Sequence, residues 1–256
     1  DDDAPSDSGG SSTPTIVVTP STPTTPSTGG AATTTAQTIT NNGTTSGSAA
    51  IVQNTNNNGN LVTATLPPAT TISSEGPTTA QSPTNALTTL VTSIQARGSS
   101  AEAPLVSGAQ TFLTNLAASS TLDVRTIIPT TTSASLSSPI VITGTSGGSQ
   151  SEAFVIDLRS LPSGSNLQLD NIEFASIMGS SPIIGGSGDN YVTADDSSQF
   201  ISLGVGNDTL FGGAGADTIG SGSGRDFLYG EDDDDVVFGG TEDDEVHGGR
   251  NRDVVY

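Results

Sequence analysis

From Gly185 to Tyr256 the chain divides, without insertion, into eight consecutive nonads: GGSGDNYVT, ADDSSQFIS, LGVGNDTLF, GGAGADTIG, SGSGRDFLY, GEDDDDVVF, GGTEDDEVH and GGRNRDVVY. Position eight is always aliphatic: Val192, Ile201, Leu210, Ile219, Leu228, Val237, Val246 and Val255. Position six is Asn190 and Gln199, then Asp208, Asp217, Asp226, Asp235, Asp244 and Asp253. A strict internal period of this kind specifies a solenoid, because no single repeat can bury its apolar face alone. Each nonad reads as a six-residue Gly-rich turn and a three-residue strand whose middle side chain points inward. Two strands make one coil, so turns on the same edge recur at every second nonad. Asp208, Asp226 and Asp244 then stack along one edge, and Asp217, Asp235 and Asp253 along the other.

Carboxylates stacked at a strand spacing of ~5 Å repel one another unless a cation sits between them. The eight nonads hold 16 acids and three arginines, a net charge of −13. Calcium suits the gap: it takes six to eight oxygens at ~2.3–2.6 Å and tolerates irregular geometry. Glycine lets the backbone turn tightly, through positive φ where needed, and aim carbonyl oxygens at the ion. The same logic explains "GEDDDDVVFGG" at 230–240, where five carboxylates run straight into three apolar residues. Asp235 is the expected ligand, Val237 faces inward, and Glu231–Asp234 occupy the turn.

These nonads, best matched by "GVGNDTLF", "GGAGADTIG" and "GSGRDFLY", resemble the RTX (haemolysin-type calcium-binding) repeat family, GGxGxDxUx. The resemblance covers 185–256. It implies a parallel β-roll in which each ion takes position-six carboxylates from turns two nonads apart, together with loop carbonyls at positions two and four. The ligands so implied are Asp208, Asp217, Asp226, Asp235, Asp244 and Asp253, with Gly204, Gly206, Gly213, Gly215, Gly222 and Gly224. Four two-carboxylate sites are expected, 208/226, 226/244, 217/235 and 235/253, and those using 230–256 are expected to be weaker. Position four carries Ser197, Asp233, Glu242 and Asn251 in place of glycine in half the repeats. The resemblance also implies export from a Gram-negative-type bacterium by a one-step (type I) secretion system, with folding on extracellular calcium.

Upstream, the pattern loosens. Residues 1–84 are mostly Thr, Ser, Pro, Gly and Asn, as in "TPTIVVTPSTPTTPSTGG" (13–30), and read as a disordered low-complexity linker or stalk. Within them "IVQNTNNNGNLVTATL" (51–66) offers a weak strand or two. Residues 85–184 read as a small helical-then-strand region leading into the solenoid. A helix over 82–98 is signalled by Ser82-Pro83, by the stripe Leu87, Leu90, Val91, Ile94, and by Arg97-Gly98 at its end. A second is signalled over 109–119 by Phe112, Leu113 and Leu116. Alternation in Ile140/Ile142, Phe154/Ile156/Leu158, Leu167/Leu169 and Ile172/Phe174 then predicts short strands, either a sandwich or the first coils of a solenoid. The fold class is therefore mainly β: a C-terminal parallel β-roll, a small α+β or β segment before it, and a disordered N-terminal region.

The chain of 256 residues carries a net charge of −21, all six basic residues being arginine, which disfavours nucleic acid and anionic membrane surfaces and favours cations. Its apolar content is 32%, against ~45–50% in ordinary domains, which argues against one large core. There is no cysteine for disulfides or thiolate metal sites, and no apolar run approaches the ~20 residues of a transmembrane helix. No signal peptide opens the sequence, as expected of a fragment or processed product. "GTSGG" (144–148) matches the serine-hydrolase elbow, but the single histidine, His247, lies inside the array at an expected outward-facing position. One histidine cannot supply H-E-x-x-H either. The sequence thus reads as non-enzymatic: a calcium-binding module, secreted or at the cell surface, with a structural or adhesive role and surface or matrix components as partners. The alternative is a folding and export module for a larger secreted enzyme or toxin.

Overall fold

The computed structural model describes residues 15–21, 34–53, 62–98, 102–146 and 150–256. The N-terminal strands are β1 (Ile16–Pro20), β2 (Thr34–Asn41), β3 (Gly47–Val52), β4 (Val62–Leu66) and β5 (Thr70–Pro77). Helices α1 (Pro83–Arg97) and α2 (Glu102–Thr114) follow. Then come β6 (Thr121–Thr131), β7 (Ile140–Thr143), β8 (Gln150–Asp157), β9 (Leu167–Asp170) and β10 (Phe174–Met178). The repeat region supplies β11 (Ile183–Gly185), β12 (Tyr191–Ala194), β13 (Phe200–Ser202), β14 (Thr209–Ala214) and β15 (Thr218–Gly220). It ends with β16 (Phe227–Asp232), β17 (Val236–Phe238), β18 (Glu245–Gly249) and β19 (Val254–Val255).

From β6 onward successive strands alternate between two sheets, one running β6-β8-β10-β12-β14-β16-β18 and the other β7-β9-β11-β13-β15-β17-β19. All these pairings are parallel. In the repeats each strand pairs with the one two nonads on. Val192 pairs with Leu210, Leu210 with Leu228 and Leu228 with Val246, while Ile201, Ile219, Val237 and Val255 pair in turn on the opposite sheet. The position-eight side chains meet between the sheets, and all from Val192 to Val237 are buried. The roll therefore begins near residue 121, well before the nonads, and the loosely alternating strands upstream are its first coils rather than a sandwich.

The reading of 1–84 as a disordered stalk fails for its described residues. β1, β2 and β5 extend the first sheet, and β3 and β4 extend the second, all by antiparallel pairing. Ile39, Ala64, Leu66 and Ile72 are fully buried in the same core as the repeat aliphatics. Thr-rich sequence is good strand material when a partner buries one face, since β-branched side chains suit the pleated surface. The Asn-rich middle of 51–66 (54–61) lies outside the described residues, as do 22–33.

The helices cover the outer face of the first sheet. α1 starts at Pro83 and ends at Gly98, which adopts the left-handed conformation at φ 59° and donates its N–H to the Gln95 carbonyl. Its buried residues are Ala86, Leu90 and Ile94, a stripe rotated slightly from the expected one. α2 begins at Glu102 rather than at 109, because Pro104 is tolerated in a first turn and Gly108 is needed in the interior. A β-carbon on Gly108 would collide with the Thr193 side chain, so the glycine brings α2 down onto β12. Among the described residues no helix is long and apolar enough to cross a membrane.

Candidate metal centre

The turns on each edge place position six of one coil against position six of the next. Along one edge, Asp208 Oδ1 accepts the backbone N–H of Asn190 at 2.9 Å, Asp226 Oδ1 that of Asp208 at 2.8 Å, and Asp244 Oδ1 that of Asp226 at 3.0 Å. Along the other, Asp217 accepts from Gln199 at 2.7 Å, Asp235 from Asp217 at 2.8 Å, and Asp253 from Asp235 at 3.1 Å. All six aspartates thus fall into the two stacks that the spacing called for. Each leans toward the coil before it, so one oxygen of every carboxylate serves as a rung and the other is left for something else.

On the four buried aspartates that second oxygen finds at most one hydrogen-bond partner among the described residues. Asp208 and Asp226 are 0% exposed, Asp217 and Asp235 1%. The Oδ2 atoms of Asp217, Asp226 and Asp235 are buried without a hydrogen-bond partner, and Asp208 Oδ2 receives only the Ser221 hydroxyl, at 3.0 Å. A buried anionic oxygen without a donor or cation is strongly unfavourable. Carbonyls stand next to these oxygens. A β-carbon added at Gly212 would lie 2.7 Å from Asp217 Oδ2 and 2.8 Å from the Gly230 carbonyl. One added at Gly230 would meet Asp235 Oδ2 and the Gly248 carbonyl more closely still. Gly212 and Gly230 thus leave small spaces where a carboxylate oxygen and a carbonyl oxygen of the next coil converge. The donor set, hard anionic and neutral oxygens, fits calcium.

Of the expected glycines, Gly204, Gly206, Gly213, Gly222 and Gly224 each stack the Cα of one coil on a carbonyl of the coil before, and Gly215 packs on the Ser197–Ser198 peptide. Their carbonyls line the same turns. What the sequence reading did not single out are the position-one groups beside the carboxylates: the carbonyls of Gly230 and Gly248 and the hydroxyl of Ser221. The glycine at position one of five nonads was the available signal. Among the described residues no three acidic or histidine side chains converge on one point, so each candidate centre is a carboxylate pair completed by neutral oxygens.

Electrostatics records the same deficit. Burial pushes the Asp217 carboxyl up to about 8, and the Asp208 and Asp235 carboxyls up to about 6, against the lowering effect of the backbone N–H each one accepts. Neighbouring carboxylates along the stack add to the rise, and Asp226 is raised in the same way. Backbone strain marks three of the four turns that lack glycine at position four, that of Ser197 being the exception. Position four has φ 84° at Asp233, 82° at Glu242 and 75° at Asn251, as its usual glycine leads one to expect, and Glu231 at position two reaches 82°. The acids there are not idle: Glu242 accepts the Gly224 N–H one coil back, and Asp233 accepts that of Gly215 at 3.2 Å.

The other candidate residues lie elsewhere. His247 is on the outer face of the first sheet, its ring stacked on Tyr229 at 4.8 Å and its Nε2 2.9 Å from Glu245 Oε1. It closes a column of rings, Tyr191, Phe211, Tyr229 and His247, spaced 4.8–5.7 Å apart, which the repeat encodes mainly at position nine. Ser146 sits exposed in a turn between β7 and β8, without the strand-to-helix elbow of a serine nucleophile; Gly147 and Gly148 lie outside the described residues.

The fold and its edges together define a parallel β-roll carrying a ladder of half-satisfied carboxylates along each side. Residues 193–255 carry RTX calcium-binding nonapeptide repeats: that family's model matches 193–228 and 220–255. Repeats of this kind bind calcium. No curated protein and no solved structure matches the chain significantly.

Proposed function

We propose that 185–256 is a calcium-stabilised roll in which the ions sit between successive coils, four of them at 208/226, 226/244, 217/235 and 235/253. The observation that carries this reading is the set of buried carboxylate oxygens of Asp217, Asp226 and Asp235 without a hydrogen-bond partner among the described residues, those of Asp217 and Asp235 standing beside position-one carbonyls. The residues holding each ion are the two position-six aspartates and the turn carbonyls, joined by Ser221 at 208/226. Bound there, calcium supplies the positive charge the stack lacks; four ions move the array from −13 to −5.

The module serves a bacterial protein that is secreted or displayed at the cell surface, and its role is structural or adhesive. Support comes from the unbroken sheets: the Thr-rich strands pair directly into the roll, forming one continuous element and not a tethered accessory. The reading is tested by far-ultraviolet circular dichroism of the whole chain during chelation and calcium titration. The β signal of the roll is expected to fall in excess chelator at pH 8 and return at roughly 0.1–1 mM calcium, the range of extracellular modules. A spectrum and thermal midpoint indifferent to calcium would overturn it.

A further inference from the structure

The first coil of the array, 185–202, has no carboxylate at position six; its residues there are Asn190 and Gln199. Both are nevertheless built into the ladders. Asn190 is 3% exposed and Gln199 4%. Each donates its backbone N–H to the aspartate one coil on, Asp208 at 2.9 Å and Asp217 at 2.7 Å. Each amide is held by its NH2 group: Asn190 Nδ2 donates to the Ile172 carbonyl at 2.8 Å, and Gln199 Nε2 to Asp195 Oδ1 at 2.6 Å. Those bonds fix which end of each amide is nitrogen. The remaining atoms, Asn190 Oδ1 and Gln199 Oε1, are buried and without a hydrogen-bond partner among the described residues, as Asp217 Oδ2, Asp226 Oδ2 and Asp235 Oδ2 are further along.

Two carboxamides in successive nonads, on opposite edges, thus leave an orphan oxygen at the ladder position that recurs at every second nonad. If these residues only filled the first coil of the array, their oxygens would be expected to accept a hydrogen bond from turn or coil. Neither does. Amide carbonyls are ordinary calcium ligands, and charge is at hand: Asp208 and Asp217 close the two rungs, and the buried Asp195 is tied to Gln199 itself. We propose that Asn190–Asp208 and Gln199–Asp217 are two further calcium sites, in which a carboxamide oxygen stands in for the second carboxylate. The cation ladders therefore start one coil before the aspartates do, and the full array holds six ions instead of four. This rests on the calcium reading of the roll and extends it.

The test is an ion count on the whole chain, by equilibrium dialysis against calcium and by native mass spectrometry. The expected result is six ions for the wild type and five for Asn190→Ala and for Gln199→Ala, with the last ions to load binding more tightly in Asn190→Asp. That third variant guards against a misfolded alanine variant, since it keeps the side-chain shape and adds a ligand charge, losing only the bond to the Ile172 carbonyl. A wild type saturating at four, or an unchanged count in the alanine variants with no tightening in Asn190→Asp, would overturn these two sites while leaving the four-site roll standing. No saturable binding at all would overturn both.

Discussion

Replacing Asp217 with asparagine should change the stability of the roll in opposite directions with and without calcium. In the calcium-free roll the Asp217 carboxyl is raised to about 8 by burial and by its neighbours. A group raised in the folded state favours folding below its unfolded pKa and loses that contribution as pH climbs through the folded value. The wild-type roll in chelator should therefore lose stability between about pH 4 and pH 8. Asparagine keeps the Oδ1 that accepts the Gln199 N–H, yet cannot ionise. It removes one carboxylate pair at the coil spacing of ~4.8 Å, an interaction of ~3 kcal/mol at an effective dielectric of ~20. In chelator at pH 8, Asp217→Asn should therefore be the more stable protein, by up to that amount. With calcium the sign reverses. A ligand charge is lost, and a net ~2–3 kcal/mol corresponds to ~30–150-fold weaker binding at the rungs Asp217 shares. Urea titrations followed by circular dichroism, at pH 5 and pH 8, in chelator and in saturating calcium, give the four comparisons needed. A variant weaker than wild type in all four would refute the argument, because the carboxylate would then be structural in its own right.

Asp235 lies within its stack and Asp253 is the last of the array, so Asp235→Ala should remove two ions by calorimetric titration and Asp253→Ala one; equal losses would contradict the two-edge ladder. Gly224→Ala should destabilise the calcium-loaded roll by more than ~2 kcal/mol, since φ is 133° and the added carbon would run into the Gly206 carbonyl, a cost read from the thermal midpoint. For Glu242→Gly, relief of ~1–2 kcal/mol at φ 82° competes with loss of the exposed bond to the Gly224 N–H, so a rise in midpoint equivalent to under ~1 kcal/mol is expected. A fall would mean that the glutamate acts as a ligand.

The repeats were legible because every level of their pattern agrees. The aliphatic at position eight, the aspartate at position six and the turn glycines each imply the same two-nonad register, and Leu210, Leu228 and Val246 pair in it. Of the strands of 34–77 only a weak strand or two at 51–66 was legible, because what stabilises them lies far away in sequence. TTAQTITN has one strongly apolar residue, Ile39, and becomes a strand only beside Thr70–Pro77 and over the common core. The start of α2 was hidden for a related reason, since Gly108 reads as a helix weakness until Thr193 is seen against it. At the metal centre, the aspartates announced themselves through period and charge. Ser221 and the position-one carbonyls were marked only by the glycine at position one of five nonads, which permits a turn without saying which way its oxygen points.

The rungs also set how the roll carries load. In the array each coil is bonded to the coil before and the coil after, through its strand ladders, a position-six hydrogen bond on each edge and further turn bonds such as Gly224 N–H to Glu242. Tension along the roll axis therefore passes through every junction in series, and the element yields at its weakest one. Asp244 and Asp253 are partly exposed where the earlier aspartates are buried, which places that junction in the last coils. With ions at the proposed rungs, ambient calcium would act as a setting on tensile strength, tightening first the junctions that are already dry.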